Sequence, residues 1–86
     1  MEQLHRTYNV MGYDKDGDVY ETLAELPDID PLITVARCIM HYHKTVKELR
    51  RKENKEPFDW FVIGDSCGMI LWVFTFENPE GIKLRD

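Results

Sequence analysis

Cys38 and His41 stand three residues apart, a spacing that puts two side chains on one face of a helix. A thiolate and an imidazole so placed make half of a zinc site, and a structural zinc closes its tetrahedron with further ligands in close pairs. Cys67 and His5 are isolated, and neither a C-x-x-C nor an H-x-x-x-H spacing occurs. No metal is therefore expected. His41 reads as a solvent-side residue and His43 as a packed helix residue. Asp14-Lys15-Asp16-Gly17-Asp18 offers oxygens instead, with Glu25 at the twelfth position of a calcium loop counted from Asp14. Such a loop wraps about six to eight oxygens around the ion and turns sharply on a glycine at its sixth position. The sixth residue here is Val19 and the flanks read as strands, so the segment is taken as a hairpin turn, with Asp14 opposite Asp18 and Gly17 at positive φ.

Gly64-Asp65-Ser66-Cys67-Gly68 resembles the nucleophile segment of trypsin-like serine proteases over five residues, departing at Cys67 where that family has glycine. The chain is far too short for that two-barrel fold, and no activity is carried over. Cys67 would need a nearby cation or helix terminus to become a reactive thiolate, and no histidine stands near it in sequence. It is read as a loop cysteine, and no catalytic residue is assigned.

The elements that must position these residues follow from pattern. Leu4–Tyr13 and Val19–Leu26 read as a strand pair, with Tyr8, Val10, Tyr20, Ala24 and Leu26 on one face. Pro27 ends the second strand. Asp30 is the expected N-cap of a helix with Pro31 at its first position, running to about Asn54 and stopped before Pro57. Its stripe is Leu32, Val35, Ala36, Ile39, Tyr42, Val46 and Leu49. Phe58–Ile63 and Met69–Phe76 read as two more strands. The expected fold is α+β, of ββαββ order, an antiparallel sheet with one long helix across one face. All 86 residues form a single domain, ordered over about 4–77, with a loose tail after Asn78-Pro79. Strand order is left open.

Two cysteines are too few for a disulfide framework, and Met1–Arg6 lacks the apolar stretch of a secretory signal. The longest apolar run, Met69–Phe74, is far short of the ~20 residues of a membrane span. A cytoplasmic, reduced protein is expected.

Charge is segregated. Residues 1–36 carry two basic against eight acidic residues, residues 37–55 seven against two, and residues 56–86 two against six, for a total of −5. The basic stretch supplies an alternative reading, weak nucleic-acid binding through Arg37, Lys44, Lys47, Arg51 and Lys55. Acidic flanks and the absence of a phosphate-cradling glycine loop favour a solvated helix end.

The last two strands stand out because they are apolar on both faces. With Ile63 opposite Met69, Phe58, Trp60, Val62, Ile70, Trp72, Phe74 and Phe76 share one face, and Phe61, Ile63, Met69, Leu71 and Val73, with Asp59 and Thr75, the other. One helix covers one sheet face, and an antiparallel sheet with a wet face should alternate. The favoured function is accordingly a small non-enzymatic protein-interaction module. It would self-associate, as a homodimer, and bind a protein partner through Phe58, Trp60, Val62, Ile70, Trp72 and Phe74. Motif-poor acidic chains of this size are similar in style to accessory or inhibitor proteins of phages and mobile elements, with no shared motif. A third reading is a small-molecule binder or cofactor-free enzyme, with a pocket lined by Trp60, Trp72 and the histidines.

Overall fold

The β-branched and aromatic residues of the amino-terminal segment form β1 (Tyr8–Tyr13), and those after the acidic turn form β2 (Tyr20–Leu26). The turn is built as its residues dictate. The Asp14 carboxylate accepts the Asp16 N–H at 3.0 Å, the Asp14 carbonyl accepts the Gly17 N–H at 3.1 Å, and Gly17 has φ 72°. The computed structural model describes residues 6–17, 20–55 and 57–85, apart from the side chain of Tyr20. The expected Asp14–Asp18 pairing thus lies outside the described residues. The strands pair from Tyr8 opposite Leu26 to Tyr13 opposite Tyr20, with a bulge at Leu23. That extra residue shifts the alternation along β2, and the expected facing of the Tyr20 side chain lies outside the described residues.

The helical region is two helices, not the single long one expected: α1 (Ile29–His41) and α2 (His43–Lys52). Tyr42 between them has ψ 27°, and the His43 ring donates from Nδ1 to the Met40 carbonyl at 3.1 Å. A side chain competing for a main-chain acceptor loosens a helix locally. The apolar stripe changes with it. Leu32, Ala36 and Met40 are buried and Val46 packs against the core, while Tyr42 and Leu49 of the expected stripe are exposed. The N-cap is Asp28 rather than Asp30, without a side-chain capping bond, and Pro31 lies within the first turn. The carboxyl end of α2 follows its chemistry more closely. Asn54 has φ 59°, and the N–H groups of Asn54 and Lys55 bond back to Arg51 and Arg50, the closing pattern in which a left-handed residue satisfies the last carbonyls.

β3 (Trp60–Asp65) and β4 (Ile70–Phe74) follow, and a two-residue β5 (Ile82–Lys83) pairs with β4. β5 falls in the segment expected as a tail, and the order is ββααβββ rather than ββαββ. All pairings are antiparallel, in the order β2-β1-β3-β4-β5. Over the described residues the fold is therefore α+β, a five-stranded antiparallel sheet with two helices. α1 lies across β1 to β4. The core forms where Leu32, Ala36 and Met40 meet Val10, Phe58, Phe61, Ile63 and Phe74. Gly12 is part of this arrangement, since a Cβ there would stand 2.5 Å from Cδ1 of the Phe58 ring that covers it. Among the described residues, no helix is long and apolar enough to cross a membrane.

Candidate functional site

The register of β3 and β4 decides which side chains share a face of the sheet. Ile63 lies opposite Trp72, not Met69, with a bulge before Gly64, which lies opposite Ile70. The turn explains the difference. The Asp65 carboxylate is buried and accepts the N–H groups of Cys67 at 2.9 Å and Met69 at 3.0 Å, and the Asp65 N–H bonds the Met69 carbonyl at 3.0 Å. Met69 is thereby tied to Asp65, two residues past Ile63. The segment that resembled a nucleophile loop spends its carboxylate on closing a turn.

The six predicted contact residues consequently do not share a face. Phe58 and Phe74 are core residues, and Trp72 packs against that core, stacked on Phe74 with ring centroids 5.8 Å apart. Arg37 sits over the Trp72 ring at 5.9 Å. Trp60, Val62 and Ile70 occupy the opposite side of the sheet, as strand alternation from Phe61 and Ile63 and the pairing of Ile70 with Gly64 require. The pocket imagined between Trp60, Trp72 and the histidines does not form. The two indoles lie on opposite sides, His41 packs edge-on to Tyr42, and His43 packs on Phe76. His5 lies outside the described residues.

Beside the predicted Trp60, Val62 and Ile70, the side without helices carries Met11, Tyr13, Val73 and Ile82, which the sequence reading did not select. Met11, Val62, Val73 and Ile82 are successive partners across β1, β3, β4 and β5, a continuous apolar row. Thr22 extends it onto β2. Beside it Tyr13 and Trp60 are partners whose rings stack at 5.7 Å with an interplanar angle of 10°. Val62, at the centre, is only 6% exposed, while Met11, Tyr13, Trp60 and Val73 are half-buried and Ile82 is 45% exposed. The signal of this row was present in β1: once Tyr8 and Val10 face the core, Met11 and Tyr13 of a strand must face away.

The basic residues of the nucleic-acid reading are largely matched within the molecule. The Arg37 guanidinium bonds the Glu80 carbonyl at 2.9 Å and pairs with its carboxylate at 3.5 Å. Lys47 reaches Asp59 at 3.7 Å and lies over Phe76, and Lys55 lies between Glu21 and Glu53. Lys44 and Arg51 form no ion pair with the described residues, and with His43, Lys47 and Glu48 they line a shallow depression on α2. Arg50, unselected by sequence, is the buried cation among the described residues: it bonds Glu21 at 2.9 Å and lies 3.7 Å from the centre of the Phe58 ring.

Cys38 and Cys67 are exposed free thiols, and among the described residues no three His, Cys, Asp or Glu side chains converge as a metal site. Compared with protein-family models, with curated proteins and with solved structures, the chain shows no match.

Proposed function

We propose that this protein is a small non-enzymatic interaction module whose contact surface is the helix-free side of its sheet. The row Met11–Val62–Val73–Ile82, flanked by the Tyr13–Trp60 stack, carries the reading. A flat apolar surface with rigid aromatic anchors is the composition of an interface core, and a wet antiparallel face normally alternates toward polar residues. The surface is suited to a second copy of the chain, because two such faces stack as the layers of a sandwich.

Light scattering over a concentration series tests this. The wild type should rise in mass from monomer to dimer or larger. Trp60→Lys should remain monomeric at concentrations where the wild type associates, with an unchanged circular dichroism spectrum. A monomeric wild type together with an unfolded Trp60→Lys would overturn the proposal, since a lysine is intolerable only where the indole belongs to a closed core.

A further inference from the structure

The helix-free side of the sheet has relief as well as composition. Its central strand β3 presents Trp60, Val62 and Gly64 in turn, because Phe61 and Ile63 face the core. A stacked indole, a short branched side chain and a bare backbone thus follow one another along one strand. β1 repeats the gradient, with Tyr13, Met11 and Asn9 as their register partners. One end of the face is therefore a ridge, Tyr13 against Trp60. The other end, at Asn9 and Gly64, is lower and is bounded by Ile70. The row Met11–Val62–Val73–Ile82 runs between the two, across the strands.

Each end holds a polar atom without a partner. Asn9 Oδ1 is buried, accepts no hydrogen bond, and stands 3.5 Å from where a Gly64 Cβ would be. A buried acceptor left unpaired is costly. The Trp60 indole N–H donates to none of the described residues. Within one copy the two cannot meet, since four residues of extended strand, about 14 Å, separate the ends of the face.

A two-fold axis along the row brings them together. It lays each strand antiparallel over its own copy, so Val62 meets Val62, and a residue two places to one side of the row meets the residue two places to the other. The ridge of each copy then descends on Asn9 and Gly64 of the other. The indole leans toward the β1–β2 turn, its Cζ2 3.4 Å from where a Gly17 Cβ would stand. The axis keeps every strand over its own kind, so the same lean carries the N–H toward Asn9 on β1. An axis parallel to the strands sets ridge on ridge instead and leaves both polar atoms unpaired. Charge permits the first arrangement: Glu25, opposite Asn9 on β2, lies off the axis and does not face its own copy. Five strands about 4.8 Å apart, some six residues long at ~3.4 Å each, offer a face of roughly 24 by 20 Å. Two such faces bury about 1,000 Å², the lower limit of a specific interface.

We propose that the chain forms a face-to-face dimer with its two-fold axis along the Met11–Val62–Val73–Ile82 row, in which the Trp60 indole N–H of each copy donates to Asn9 Oδ1 of the other. This rests on the self-association proposed above and specifies its geometry. Met11, whose methyl also flanks Gly64, is the flexible side chain that yields as the indole seats.

Isotope-labelled and unlabelled protein are mixed at a concentration where sedimentation shows a dimer, and filtered NOE spectra record contacts between copies alone. The Trp60 indole N–H should show contacts to Asn9 and Gly64 of the other copy. Asn9→Leu removes the acceptor while adding apolar area, so burial alone would tighten the dimer. Loss of the two symmetry-related bonds should instead raise the dissociation constant at least about tenfold. The unfolding midpoint of the monomer should be unchanged or higher, because the orphaned acceptor is gone. If Asn9→Leu fails to fold, replacing Trp60 by benzothienylalanine, which keeps the ring shape and carries sulfur in place of N–H, makes the same test from the donor. A wild type that stays monomeric overturns the self-association and this geometry with it. A dimer with Trp60–Trp60 contacts, or one that the loss of acceptor or donor leaves equally tight or tighter, overturns the geometry alone.

Discussion

The two sides of this sheet are made from the same strands and nearly the same residue types, yet they differ in what they exclude. On the helix side Val10, Ile63 and Phe74 are wholly buried and meet Leu32 and Ala36 of α1. On the other side Met11, Val62, Val73 and Ile82 form an equally apolar row that no described helix covers. Apolar composition therefore does not distinguish core from surface in this chain; the placement of α1 and α2 does. A strand that is apolar on both faces commits a small domain to one internal contact and leaves a second surface available for an external one.

The sharpest test compares adjacent residues of β4. Phe74→Ala empties the core side and should destabilise the protein by about 3–5 kcal/mol, a large part of the ~5–15 kcal/mol that holds a domain together. Val73→Ala, one residue earlier on the helix-free side, should cost less than about 1 kcal/mol in the monomer, because Val73 is only half-buried. Urea unfolding of both at low protein concentration measures the difference. Equal costs would erase the distinction between the two sides.

A second test presses on the core side without emptying it. Gly12→Ala would bring a Cβ to 2.5 Å from the Phe58 ring, which is itself fixed between Phe61 and the Arg50 guanidinium. Overpacking of this kind should cost about 1–3 kcal/mol. Thermal unfolding checks it, and a loss below about 0.5 kcal/mol would mean that Phe58 moves aside freely.

Much of this contrast was legible in the sequence. The α+β class, the strands around Tyr8–Tyr13 and Trp60–Asp65, and the glycine-bearing turn after β1 follow from alternation and turn chemistry, which act over a few residues. The grouping of contact residues was not legible, for a local reason with a distant effect. Asp65 ties down Met69 and β4 bulges beside Gly64, so Phe74 and Trp72 turn to the core while Trp60 and Val62 remain outside. An odd shift in register exchanges every side chain between faces. The break at Tyr42 was hidden in the same way. The stripe through Tyr42 and Leu49 satisfies helical periodicity, but the buried alternative through Met40, Val46 and Arg50 depends on Phe58 and Glu21, which approach only in the folded chain.

The helix-free side should reveal itself in association rather than in stability. Val73→Lys places a charge midway along the row, between Val62 and Ile82. Its ammonium can extend toward water in the monomer but would be buried in a stacked dimer. The dissociation constant should rise at least tenfold, equivalent to about 1.4 kcal/mol, with an unfolding midpoint close to wild type at concentrations where both are monomeric. Sedimentation across a dilution series measures the first quantity. Unchanged association would remove this row from the interface.

The smallest effect is expected on α2, whose basic residues occupy neither side of the contrast at its centre. Lys47 and Lys55 already meet carboxylates, leaving Lys44 and Arg51 as the cations of the depression without an ion pair to the described residues. Both are exposed, so Lys44→Glu with Arg51→Glu should change stability by no more than about 0.5 kcal/mol. Nucleic-acid binding by the wild type should be nonspecific and no tighter than ~10⁻⁶ M at physiological salt. The acidic segments flanking α2 partly cancel its field, and the double reversal should abolish what remains. A gel shift with duplex DNA and single-stranded RNA at two salt concentrations separates the outcomes. Sub-micromolar binding lost in the double variant would favour α2 over the sheet as the contact surface, whereas weak, salt-sensitive binding leaves the proposed assignment to the helix-free row standing.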